Sequence, residues 1–102
     1  DLLATHLVSF FHKGVDPIVF VNMSGQIMSA NEAFVSLANV THPQTLSGRS
    51  MTEFFSRGSV DLNVILESAR RTGKMRLYST KILNEHGDER PVDISTTQVR
   101  HP

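Results

Sequence analysis

What most constrains the folding of this sequence is the placement of its β-prone runs, paired on either side of a helical block. Before the block, Ile18 to Asn22 reads as a buried strand, Met23-Ser24-Gly25 as a turn, and Gln26 to Ala30 as the returning arm of a hairpin. After it, Met75 to Leu83 and Arg90 to Val99 are two strands joined through Glu85-His86-Gly87-Asp88. Paired strands on both sides of helices specify an α+β fold, an antiparallel sheet with helices on one face.

The helical block has its own punctuation. Asn31 is a good N-cap for a helix that turns Ala33, Phe34 and Leu37 inward. Asn39 to Gly48 reads as a loop with one helical turn around Gln44 to Leu46. Ser50-Met51-Thr52-Glu53 matches a capping box, opening a turn that presents Met51, Phe54 and Phe55. Ser59 is placed to cap a longer helix on which Leu62, Ile65, Leu66 and Ala69 fall at i, i+3, i+4 and i+7, with Gly73 as its stop. At the start, Leu3, Leu7 and Phe10 are spaced four and three apart, which predicts an amphipathic helix over residues 1–13, ended by Gly14. The expected organisation is therefore residues 1–14 as N-terminal helix and linker, and 15–102 as the core. Alone, that helix exposes an apolar stripe, so Leu3, Leu7 and Phe10 are the expected dimer surface.

Composition narrows function. A chain of 102 residues, 39% hydrophobic and 20% charged, has the make-up of one globular domain. Lys plus Arg and Asp plus Glu both count 10, and zero net charge argues against a general nucleic-acid binder. With no cysteine there can be no disulfide, thiolate metal site, thiol nucleophile or cysteinyl-flavin adduct. No apolar run has the length of a membrane span, so a cytoplasmic location without membrane insertion is expected. A start at Asp1 rather than methionine reads as a segment of something longer.

No catalytic constellation is visible. His6 and His12 are six apart and diverge on a helix, while His42, His86 and His101 are scattered; all five read as exposed, unpaired residues and no metal is expected. There is no G-x-S-x-G, S-x-x-K, G-x-G-x-x-G or P-loop pattern. Glu85, Asp88 and Glu89 read as a solvated hairpin tip. Arg70, Arg71, Lys74 and Arg76 are cations suited to a helix C-terminus, and strand alternation sets Arg76 on the face of Tyr78. Phe34, Leu37, Met51, Phe54, Phe55, Leu62, Ile65 and Leu66, beside Phe20 and Met28, either fill a core or line an apolar pocket; periodicity does not separate the two.

Taken together, these residues resemble a PAS domain over nearly the whole chain. Asp16-Pro17-Ile18-Val19-Phe20-Val21 followed by Ser24-Gly25-Gln26-Ile27 is similar to the family's opening hairpin. Asn31-Glu32-Ala33-Phe34 matches its "N-x-A-F" helix start, Leu46-Ser47-Gly48 its "L-x-G" segment, and His86-Gly87 ahead of Val92-Asp93-Ile94-Ser95 its closing hairpin. The resemblance implies a five-stranded antiparallel sheet ordered 2-1-5-4-3. Four strands are legible, and the central last strand is not evident; a neighbouring chain or an altered pairing has to fill its place. It also implies a non-enzymatic sensory box of a bacterial signal-transduction protein, of the two-component histidine kinase or diguanylate cyclase (GGDEF) type. Such a module binds a small non-covalent ligand, forms homodimers, or does both; the alternative is a ligand-free interaction scaffold. The polar contacts to a ligand would come from Asn31, Tyr78 and Thr80. No histidine lies between Leu62 and Arg71, so haem is not expected, and the cofactor is otherwise unknown.

Overall fold

The computed structural model describes residues 4–11 and 16–100, without the side chains of 4, 5, 11, 74–76 and 100. Five strands form one sheet: β1 (Ala4–Phe11), β2 (Ile18–Asn22), β3 (Ile27–Ala30), β4 (Lys74–Leu83) and β5 (Glu89–Arg100). Two helices, α1 (Glu32–Ala38) and α2 (Ser59–Thr72), and two short 3-10 turns, Pro43–Thr45 and Met51–Phe54, connect β3 to β4. All neighbours in the sheet are antiparallel, in the order β3-β2-β1-β5-β4.

The expectation of a helix at the N-terminus is overturned. Ala4–Phe11 is the middle strand, with Val8 opposite Val19 of β2 and Thr96 of β5. It stands where the family order puts its last strand, so an altered pairing supplies the missing element from the front of the chain. The division at residue 14 goes with it, because β1 is part of the core. Physically, His6, Val8 and Phe10 alternate as inward, buried residues, and period two overrode the four-and-three spacing of Leu3, Leu7 and Phe10. Leu3 lies outside the described residues. Leu7 and Phe10 point to opposite faces: Leu7 is half-buried on the outer face, and Phe10 is fully buried in the core, so they cannot form one dimer stripe.

The inner face of the sheet, with Val8, Val19, Val21, Ile27, Ile82 and Ile94, packs against Phe34 and Leu37 of α1 and Leu62, Ile65 and Leu66 of α2. Phe20 and Met28, expected beside that core, are not in it. Phe20 alternates with Val19 and Val21 and is half-buried on the outer face, while Met28 sits at a register shift and is 49% exposed. Asn31 caps α1, accepting from Phe34 N at 3.0 Å, and Gly73 at φ 81° ends α2. Two expected caps differ. Ser50 accepts from Thr52 N, and the Glu53 carboxylate pairs with Arg49 instead of closing a capping box. Gly58, not Ser59, occupies the N-cap of α2. Residues 48–56 clip both sheet edges: Ile27 N donates to Arg49 O on β3, and Ser56 N to Lys81 O on β4.

Candidate functional site

Three features lie between sheet and helices. The first is a set of phenylalanine rings. The Phe10 and Phe34 centroids are 5.5 Å apart, Phe34 and Phe54 meet edge-on at 5.7 Å, and Phe10 lies 6.5 Å from Phe55. All four are fully buried, as are Met51 and Ile65; Leu37, Leu62 and Leu66 are nearly so.

The second is a polar cluster around Asp61, in the first turn of α2. Its side chain is completely buried. Oδ1 accepts from Tyr78 Oη at 2.6 Å, Thr80 Oγ1 at 2.9 Å and Arg57 Nη2 at 2.8 Å, while Oδ2 accepts from Arg57 N at 3.3 Å. Burial alone pushes the Asp61 carboxyl up, but the hydrogen bonds from Tyr78, Thr80 and Arg57 outweigh it and hold the group below its ordinary value. Burial, then the bond to Asp61, raises the Tyr78 phenol. Tyr78 and Thr80, expected as ligand contacts, are thus committed to fastening α2 onto β4. Asn31 is committed too: its Oδ1 also accepts from Ile18 N and its Nδ2 donates to Asp16 O.

The third is His6, which corrects the expectation that the histidines are exposed. It is fully buried on the helix-facing side of β1. Its Nε2 lies 3.1 Å from Met23 Sδ, and its Nδ1 has no partner among the described residues. Burial, then the nearby Arg70 charge, lowers its pKa and keeps the ring neutral. Met23 in turn walls a groove of about 600 Å³ between the β2–β3 turn and α2, with Leu62, Leu66, Glu67 and Arg70 on the other side. His42 and His86 are exposed; His12 and His101 lie outside the described residues.

The remaining candidates disperse. At the hairpin tip, Glu85 receives Arg49 Nη1 at 2.7 Å and Thr41 N at 2.9 Å, whereas Asp88 and Glu89 stay exposed. Arg49 also covers the Phe54 ring at 4.9 Å. A register shift between Met75 and Tyr78, with Leu77 at φ 49°, breaks the alternation that was to set Arg76 beside Tyr78; the Arg76 side chain is outside the described set. Among the described residues, no three His, Asp or Glu side chains gather as metal ligands, and no helix is long and apolar enough to cross a membrane. The signal for His6 was the period-two pattern of its own strand. The only local signal for Asp61 was Arg57 four residues before it, an ordinary i, i+4 pair; its partners Tyr78 and Thr80 are 17 and 19 residues away.

No family model matches the sequence. Over 87 residues, 85% of the chain, it is 39% identical to Protein CrtJ of Rhodobacter capsulatus. The chain spans about a fifth of that relative's length, 19%. Among solved structures, the PAS domain of a protein from Colwellia psychrerythraea superposes with a TM-score of 0.57 at 10% identity, covering 97% of this chain and 86% of that one. The strand order, the helices gathered on one face and a superposition over nearly the whole chain agree: the fold is that of a PAS domain.

Proposed function

We propose that the chain is a regulatory module of a longer protein and works by self-association through the outer face of its sheet. The observation that carries this is the division of apolar residues between the two faces. On the inner face, the sequence left open whether Phe34, Phe54, Leu66 and their apolar neighbours fill a core or line a pocket. Phe34 and Phe54 are in edge contact there, and the Tyr78 hydroxyl is held by Asp61. This packing favours the scaffold reading over an interior ligand. On the outer face, Leu7, Ile18 and Phe20 are half-buried on neighbouring strands, with Met28 more exposed on β3. An apolar patch on neighbouring strands of a paired sheet is a natural surface for a second copy of the same chain.

Regulation through association needs no catalytic group in this chain. Outputs of the histidine kinase or diguanylate cyclase type concern other segments. The zero net charge speaks only of these residues, and the exclusion of nucleic acid does not extend to a longer protein. Sedimentation velocity across a concentration series tests the reading: the protein is expected to dimerise, and Phe20→Glu to remain monomeric with an unchanged far-UV circular dichroism spectrum. A protein that stays monomeric at every concentration overturns it.

A further inference from the structure

His6 and Asp61 are both fully buried, yet the histidine is satisfied by almost nothing. A thioether sulfur accepts only weakly, so the contact of Nε2 with Met23 Sδ makes Nε2–H a donor without a good acceptor. Nδ1 is then a bare lone pair. On the same face of the neighbouring strand β5, opposite Val8 and two register pairs from His6, the Thr96 hydroxyl is likewise buried and without a partner among the described residues. Proteins rarely leave such atoms buried without a reason.

The groove explains the arrangement. Met23 is both its wall and the cover over His6. A methionine has three rotatable bonds and moves aside at small cost. An oxygen entering from the groove then replaces a weak acceptor with a strong one. At the rim stands Arg70, whose guanidinium pairs with Glu67 at 3.2 Å; both side chains are more than half exposed, so this pair is easily exchanged. Leu62 and Leu66 provide an apolar wall.

We propose that the groove between the β2–β3 turn and α2 binds a small amphipathic carboxylic acid. Its carboxylate takes the His6 N–H in place of Met23 sulfur and draws Arg70 from Glu67, and its apolar body lies on Leu62 and Leu66. The site is separate from the ring-packed interior and from the outer sheet face. Binding has a proton signature. Among the described residues, the charged groups near His6 are Arg70 and, paired with it, Glu67, both on α2; β2 presents Val21 and β5 presents Gln98 and Thr96, all uncharged. A carboxylate against the ring therefore favours its protonation at Nδ1, and the protein takes up a proton as it binds.

Benzoate is the probe, with benzyl alcohol as a control of the same apolar body without the charge. Titrations are followed by heteronuclear NMR of the His6 ring and of the Leu62 and Leu66 methyls, and by calorimetry in buffers of different ionisation enthalpy. Benzoate is expected to shift these signals, to raise the His6 titration midpoint and to bind with proton uptake between the free and the raised midpoint. Arg70→Gln, at an exposed position, and His6→Leu should each weaken it about tenfold, as should removal of the charge in benzyl alcohol. Failure of benzoate to move His6, or equal binding by wild type and Arg70→Gln, overturns the proposal.

Discussion

Asp61 on α2 and His6 on the helix-facing side of β1 illustrate two ways of keeping a polar side chain out of water. Asp61 is ionised, and an ion in the interior is tolerable only when its oxygens are filled. Tyr78, Thr80 and Arg57 fill them, drawn from β4 and the turn before α2. His6 can stay neutral by binding no second proton. It therefore survives with one thioether contact and a nitrogen that has no partner among the described residues. The first arrangement is a fastening, complete and without spare capacity. The second has capacity left, which is why a ligand site is placed at His6 and not at the better-formed cluster.

The largest break in this comparison should come from Asp61→Ala. It strips the acceptor from Tyr78 and Thr80 and is expected to lower unfolding stability by about 2–4 kcal/mol in urea titration. A loss smaller than about 1 kcal/mol would mean that the cluster is not the fastening described.

Acid should separate the two residues by window. The His6 pKa is depressed in the folded state, so the unfolded chain takes up the proton first; its contribution is complete above 6.5 and declines as pH falls below that value. Asp61 is likewise depressed, from an ordinary 3.8, so its contribution persists through that first window and is lost only as pH falls below 3.8 towards the folded pKa. Stability measured from pH 7 to pH 3 should thus fall in two stages, the upper absent in His6→Leu and the lower, to which Glu85 also contributes, reduced in Asp61→Asn. A single step unaffected by His6→Leu would contradict the buried, neutral ring.

At neutral pH the smallest effect is expected from His6→Leu itself. It removes an unsatisfied polar group at similar volume, so thermal melts should show stability unchanged or raised by up to about 1 kcal/mol. A marked loss would reveal a partner for Nδ1.

Where local chemistry decides, the sequence was readable. Asn31 and Gly73 delimit helices as expected, and Leu62, Ile65, Leu66 and Ala69 are all buried at their helical spacing. It misled at β1, because eight residues can satisfy a helical stripe through Leu7 and Phe10 and a strand alternation through His6, Val8 and Phe10 at once. The choice was made by β2 and β5, which no window around residue 8 contains. Phe20 and Met28 were misplaced for a related reason: β2 is a continuous apolar run, and only pairing in the sheet decides which half faces the helices. The Asp61 cluster has one local partner, Arg57 four residues before it, but depends on Tyr78 and Thr80, which are distant in sequence.

The middle position of β1 also has a consequence for how the chain is assembled. Ala4 lies opposite Arg100, so the β1–β5 ladder joins residues nearly as far apart in sequence as the described chain permits. The β1–β2 and β4–β5 pairings can each form over short loops, giving two halves, β3-β2-β1 and β5-β4, that are each locally connected. Joining them closes the whole chain into one loop, the step with the greatest entropic cost and the one on which the speed of folding depends. The sheet is therefore two hairpin-built pieces with a late seam, and His6 lies on that seam, opposite Gln98.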